Sequence, residues 1–229
     1  MDVKAPVQAI GTKKSAYPGW LKVGFWICLV IAVGVVLRRV VALAHPNPGG
    51  TSPTAALDAF FASHAALTLA HILPALVFVL LTPVVVLRRS GALWAKRSFF
   101  PLGAVVGLTA YAMSVYSVGG WVERSAVLFF NTLFLISLAR AYGSMRSGEG
   151  GEEIRWTLRA VAILLGIATT RPVMGVFFAT SRLTHLEPRQ FFGIAFWIGF
   201  SINTIAIELW LRSRGGQAAD ARRVMHSGS

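Results

Sequence analysis

Stretches of mostly apolar residues recur six times along the chain, and the short segments between them carry most of its charge. A bilayer core about 30 Å thick takes roughly 20 apolar helical residues to cross, so the pattern predicts membrane-spanning helices. The first runs from about Trp20 to Leu37 and the second from about Ala59 to Leu87, long enough to imply tilt or a protruding end. The third covers about Phe99 to Val118, the fourth Ala126 to Tyr142, the fifth Ile154 to Thr170 and the sixth Gln190 to Leu211. Pro172, directly after Arg171, is expected to end or kink the fifth helix. The fold class expected is all-α, a polytopic transmembrane bundle of about six spans.

Charge sets the orientation. Sixteen of the 22 Lys and Arg fall on one side of that pattern, including Lys4, Lys22, Arg88, Arg89, Arg140 and Arg212, and six on the other: Arg38, Arg39, Arg124, Arg171, Arg182 and Arg189. Basic residues collect on cytoplasmic flanks, so both termini are expected inside. Residues 1–19 then form a cytoplasmic polar tail, 20–212 the helical domain, and 213–229 a second cytoplasmic tail without regular structure. Ala42 and Ala44 give the small-x-small pattern of a cleaved signal, against which stand the long polar lead-in and Arg38-Arg39. Ser or Thr ahead of Leu57 is placed to cap the second helix.

Composition agrees: 55% hydrophobic and only 14% charged residues leave too little polar surface for a soluble domain. The net charge of +13 sits at helix ends rather than on one basic face, which argues for the lipid bilayer as partner and against nucleic acid. Cys28 has no second cysteine to pair with.

Ionisable groups inside apolar helices are costly, so they are the default functional candidates. His64 and His71 lie seven residues apart on one helix face, with about 10 Å of rise between them. They cannot hold one iron together, and the other histidines, His45, His185 and His226, fall in loops or the tail. Hydrogen-bonded neutral histidines, a ligand or proton site, and haem or metal ligation are the alternatives. Glu208 sits at the depth of Arg155 and Arg159, where an interhelical ion pair is the simplest reading. Asn203 is placed to bridge helices. Asp58 lies at a depth comparable with Arg38, Arg39 and Arg171, which either neutralise it or form an anion site. Gly103 and Gly107 have the GxxxG spacing of close helix approach. No catalytic triad, CxxC pair, HExxH helix or phosphate loop is present.

The order HILPALVFVLLTPVVVLRR, GEEIRWTLRAVAILLGIATTRPV and WIGFSINTIAIE resembles the bacterial membrane-protein family catalogued as domain of unknown function 2306, over residues 58–212. The shared positions are His71, Pro83, Arg88 and Arg89, then Trp156, Arg159 and Arg171, then Trp197, Asn203 and Glu208. Phe99 and Glu153 stand where the family usually carries histidines. The resemblance implies a helical bundle in a bacterial inner membrane and leaves the chemistry open.

The sequence therefore points to a multipass membrane protein with no assigned catalysis, holding a small molecule in a polar pocket between the second, fifth and sixth spans. His64, His71, Arg171, Asn203 and Glu208 are the candidate ligand residues, and Arg155, Arg159 and Glu208 the candidate ion pair. No cofactor is expected. The competing readings are a redox protein binding b-type haem or quinone, and a small transporter or assembly partner.

Overall fold

The computed structural model describes residues 17–45, 55–87, 93–184 and 188–227, and side chains at 17–45, 57–87, 94–180 and 190–214. Among the described residues the chain is entirely helical apart from short turns. The helices are α1 (Gly19–Ala44), α2 (Ala55–Ser63), α3 (Ala65–Leu87), α4 (Leu93–Ser114), α5 (Gly120–Arg146), α6 (Gly150–Thr184) and α7 (Pro188–Ser227). Five of them, α1, α3, α5, α6 and α7, are long and apolar enough to cross a membrane. The chain is a multipass membrane protein.

Helix α4 falls below that hydropathy because Lys96 and Arg97 open it, yet its contacts carry it from one end of the bundle to the other. Lys96 reaches Glu153 at the start of α6 at 2.6 Å. Beyond the opposite end of α4, Tyr116 lies against His64, ring centroids 4.1 Å apart. At 1.5 Å per residue its 22 residues span about 33 Å. Consecutive legs therefore run antiparallel, with α2 and α3 together forming one leg. Tyr17, just before α1, packs on Trp210 of α7, which brings the start of the first leg and the latter part of the last to one side.

Three sequence expectations are corrected. The second span is two helices, because the chain breaks at His64. Ser63 Oγ donates to the Phe60 carbonyl at 2.7 Å and also meets His64 Nδ1 at 2.9 Å, local bonds that compete with the helical ladder. Helix α6 does not end at Pro172 but continues to Thr184, as apolar helices tolerate proline when neighbours cover the freed carbonyl. And the segment from 213 continues α7 as helix as far as Ser227. The proposed capping residues before Leu57, the 1–16 tail, Arg88, Arg89 and His185 lie outside the described residues; the side chains of Arg182, Arg189 and His226 do too.

Aromatic stacking joins the legs. Phe78 of α3 stacks on Phe99 of α4 at 4.2 Å and meets Phe134 of α5 edge-on at 5.8 Å. Phe130 of α5 contacts Trp197 and stacks on Phe200 of α7. Where helices approach most closely a glycine sits: a Cβ on Gly199 would stand 2.7 Å from the Thr170 backbone nitrogen, and one on Gly166 would stand 2.9 Å from Phe200 Cα. Gly103 similarly makes room for Leu138 and Phe78. Helix α1 is peripheral, with only 11% of its apolar window buried against 39% for α6.

Candidate functional site

A cavity of about 270 Å³ lies in the half of the bundle away from Tyr17 and Trp210. Its walls are apolar, formed by Val79, Phe130, Phe134, Ile167, Phe196 and Phe200 among others. Its polar groups are few: Arg39, His71, Glu123, Asn131 and Arg171, with the hydroxyls of Thr68, Ser114 and Tyr116. Apolar walls with a few convergent polar groups are the usual make-up of a small-molecule site.

His71 projects from the middle of α3. Its Nδ1 lies 2.9 Å from Thr109 Oγ1, and that hydroxyl already donates to the Val105 carbonyl at 2.7 Å. Thr109 therefore accepts, Nδ1 carries the proton, and Nε2 is left as a bare lone pair. Asn131 of α5 donates from Nδ2 to the Gly107 carbonyl at 2.9 Å, which leaves its Oδ1 as the second acceptor. The Thr68 and Ser114 hydroxyls both donate to backbone carbonyls of Phe61 and Tyr111. At this level the cavity is furnished with acceptors.

The end of the cavity at Glu123 and Arg171 is different. Glu123, only 8% exposed, accepts the Gly119 backbone N–H at 2.5 Å and so closes the first turn of α5. It is sealed by the start of α7, because Gly119 and Gly193 let the two backbones touch: a Cβ on Gly193 would stand 2.7 Å from the Glu123 nitrogen. Arg171 of α6 lies within electrostatic reach of Glu123, Arg38 and Arg39 but pairs with no carboxylate; its terminal nitrogen finds only Met174 Sδ at 4.0 Å. Among the described residues two buried side-chain nitrogens lack a hydrogen-bond partner, Nε of Arg124 and Nε of Arg171, and of these only Arg171 lines the cavity. Asp58 is held by Arg39 at 2.6 Å and Arg38 at 3.0 Å, with the Arg39 guanidinium 4.1 Å over the Phe61 ring. Among the described residues four guanidinium groups, those of Arg38, Arg39, Arg124 and Arg171, thus gather at this end with two carboxylates, Asp58 and Glu123, an excess of positive charge.

Of the residues singled out from sequence, the structure brings His71 and Arg171 into one cavity. His64 lies outside it, against Tyr116 and Phe60. Asn203 joins helices: Thr169 Oγ1 donates to its Oδ1 at 2.8 Å, and its Nδ2 donates to the Ala162 carbonyl at 3.2 Å. It also lines a second cavity of about 320 Å³ between α1, α3, α6 and α7. Glu208 is at the opposite end of the bundle in a two-pronged pair with Arg159, whose guanidinium lies 4.4 Å over the Trp156 ring. Arg155 pairs with Glu152 instead, at 2.9 Å. No three His, Cys, Asp or Glu side chains converge among the described residues. Glu123 and Asn131 escaped the sequence reading. A lone amide within an apolar run was the available signal for Asn131.

No family model, curated protein or solved structure matches the chain.

Proposed function

We propose that this protein binds a small amphipathic anion inside its helical bundle, with the anionic end at Arg171 and the hydrocarbon body among the phenylalanines of α5 and α7. The observation that carries this reading is the Arg171 guanidinium, buried with a free Nε against an apolar cavity and without a carboxylate of its own. A buried cation is costly unless something pairs with it, and an excess positive charge in apolar surroundings favours a bound anion. The chain is read as a bacterial plasma-membrane protein with both ends of its helical domain inside, from the sixteen-to-six division of basic residues. Two positions of the family resemblance, His71 and Arg171, line the cavity, and two more, Arg159 and Glu208, tie α6 to α7 at the opposite end.

Decanoate tests the reading. Added to detergent-purified protein at a hundredfold its dissociation constant, a ligand confined to the folded state stabilises it by about 2.7 kcal/mol, so the unfolding temperature should rise. Decanol, with the same chain and no charge, should give a much smaller rise, and Arg171→Gln should remove the difference between them. Equal stabilisation by decanoate and decanol would show that Arg171 reads no anion.

A further inference from the structure

The anion site accounts for only one end of the cavity. About 12 Å further in, measured as the eight residues of α5 from Glu123 to Asn131, the polar groups change character. His71 Nε2 and Asn131 Oδ1 are both acceptors, and both side chains are fixed to the same stretch of α4: His71 on Thr109 and Asn131 on the Gly107 carbonyl. That shared anchor puts them at one level. Neither atom has a hydrogen-bond partner, and neither is sealed off from the cavity that its residue lines. The hydroxyls beside them supply no donor, because Thr68, Thr109 and Ser114 each spend their hydrogen on a carbonyl.

Resting on the anion-site reading, we infer that the ligand is a hydroxylated amphiphile: a carboxylate or similar anion at one end, and a hydroxyl toward the other that donates to His71 Nε2 with Asn131 Oδ1 beside it. An acceptor left bare in an apolar cavity forfeits a hydrogen bond, so a chain ending in a donor is preferred over one ending in a methyl group. A cationic donor is disfavoured, since an ammonium would add a second positive charge to a cavity already in excess and find only neutral acceptors. A neutral hydroxyl meets the requirement. The separation of the two levels places that hydroxyl far along a medium-length chain, not next to the carboxylate.

Binding of decanoate, 3-hydroxydecanoate and 10-hydroxydecanoate to the full chain in detergent, measured by calorimetry, decides the matter. The 10-hydroxy acid should bind about fivefold tighter than decanoate, the value of one ordinary hydrogen bond, and the 3-hydroxy acid no tighter than decanoate. In His71→Phe the ratio of 10-hydroxydecanoate to decanoate affinity should fall to about one, with Asn131→Leu read in the same way should the first variant not fold. A ratio of one in the unmodified protein that nevertheless binds decanoate overturns the hydroxyl assignment alone, leaving water as the partner of both acceptors. A preference that survives both variants overturns the assignment of His71 and Asn131. Failure of all three acids to bind removes the anion site and this inference together.

Discussion

Arg159 and Arg171 sit twelve residues apart on one helix and illustrate two fates of a buried guanidinium. Arg159 donates from Nε and Nη2 to the two carboxylate oxygens of Glu208 and rests on Trp156, so removing the acid strands a charge. Glu208→Gln should therefore lower stability in detergent by a few kcal/mol, about the 3–5 kcal/mol typical of a broken buried pair less the part recovered because Glu208 is partly exposed. Arg171 has no such answer. Replacing it by Met removes an unpaired charge and fills the same space with thioether, so Arg171→Met should raise the unfolding temperature, by the equivalent of about 1–4 kcal/mol, while ending decanoate binding. Stability sacrificed at a residue and recovered on its removal is the mark of a binding group; a destabilised Arg171→Met would instead make Arg171 a structural tie to Glu123. Both arginines and Glu208 were legible in the sequence because a charge inside an apolar run stands out. Glu123 was not, since a carboxylate at the head of a span reads as a headgroup-level charge, and only the crossing of Gly119 with Gly193 buries it.

At the level of the helix the apolar pattern located each leg but not its interruptions. The break at His64 lies inside an unbroken apolar run, and its cause is a pair of side-chain bonds made by Ser63, which no periodicity reveals. Pro172 carried the opposite message, a stop signal that the covered interior of a bundle overrides. Close crossings were partly visible: the GxxxG of Gly103 and Gly107 does face α5, whereas Gly166 and Gly199, which set the tightest approach of α6 and α7, form no such motif. This gives a prediction that separates space from propensity. Gly199→Ala places its methyl 2.7 Å from the Thr170 nitrogen, a backbone atom that cannot swing away, and should cost about 1–3 kcal/mol by forcing the helices apart. Gly34→Ala, where nothing lies within 4 Å, should be neutral or slightly stabilising, since alanine is the better helix former by about 1 kcal/mol. Similar losses at both positions, read by thermal unfolding in detergent, would mean that the α6–α7 crossing is looser than its geometry.

For the molecule as a whole the decisive element is α4, the one leg too polar to qualify as a membrane span on composition alone. Its polarity is concentrated at Lys96 and Arg97, at the same end as Glu153, Arg159 and Arg140, so the charges sit where a headgroup layer can take them and the remainder from Phe99 to Ser114 is apolar enough to be covered by α3 and α5. A leg flanked on both sides by other helices need not be uniformly apolar, because protein rather than lipid surrounds it. If α4 crosses, three legs separate His45 from Ser147, and these exposed positions lie on opposite faces. If α4 lies at the surface, only two legs separate them and they share a face. Cysteines placed singly by His45→Cys and Ser147→Cys, in a Cys28→Ala background, should be labelled in intact cells by a membrane-impermeant maleimide at 45 and not at 147, with 147 becoming reactive once the membrane is opened. Labelling of both positions from outside would withdraw α4 from the membrane. Labelling of 147 alone would keep all the crossings and reverse the orientation, turning the end that holds the Arg171 cavity from the external face toward the cytoplasm, and with it the side from which an anion reaches the site.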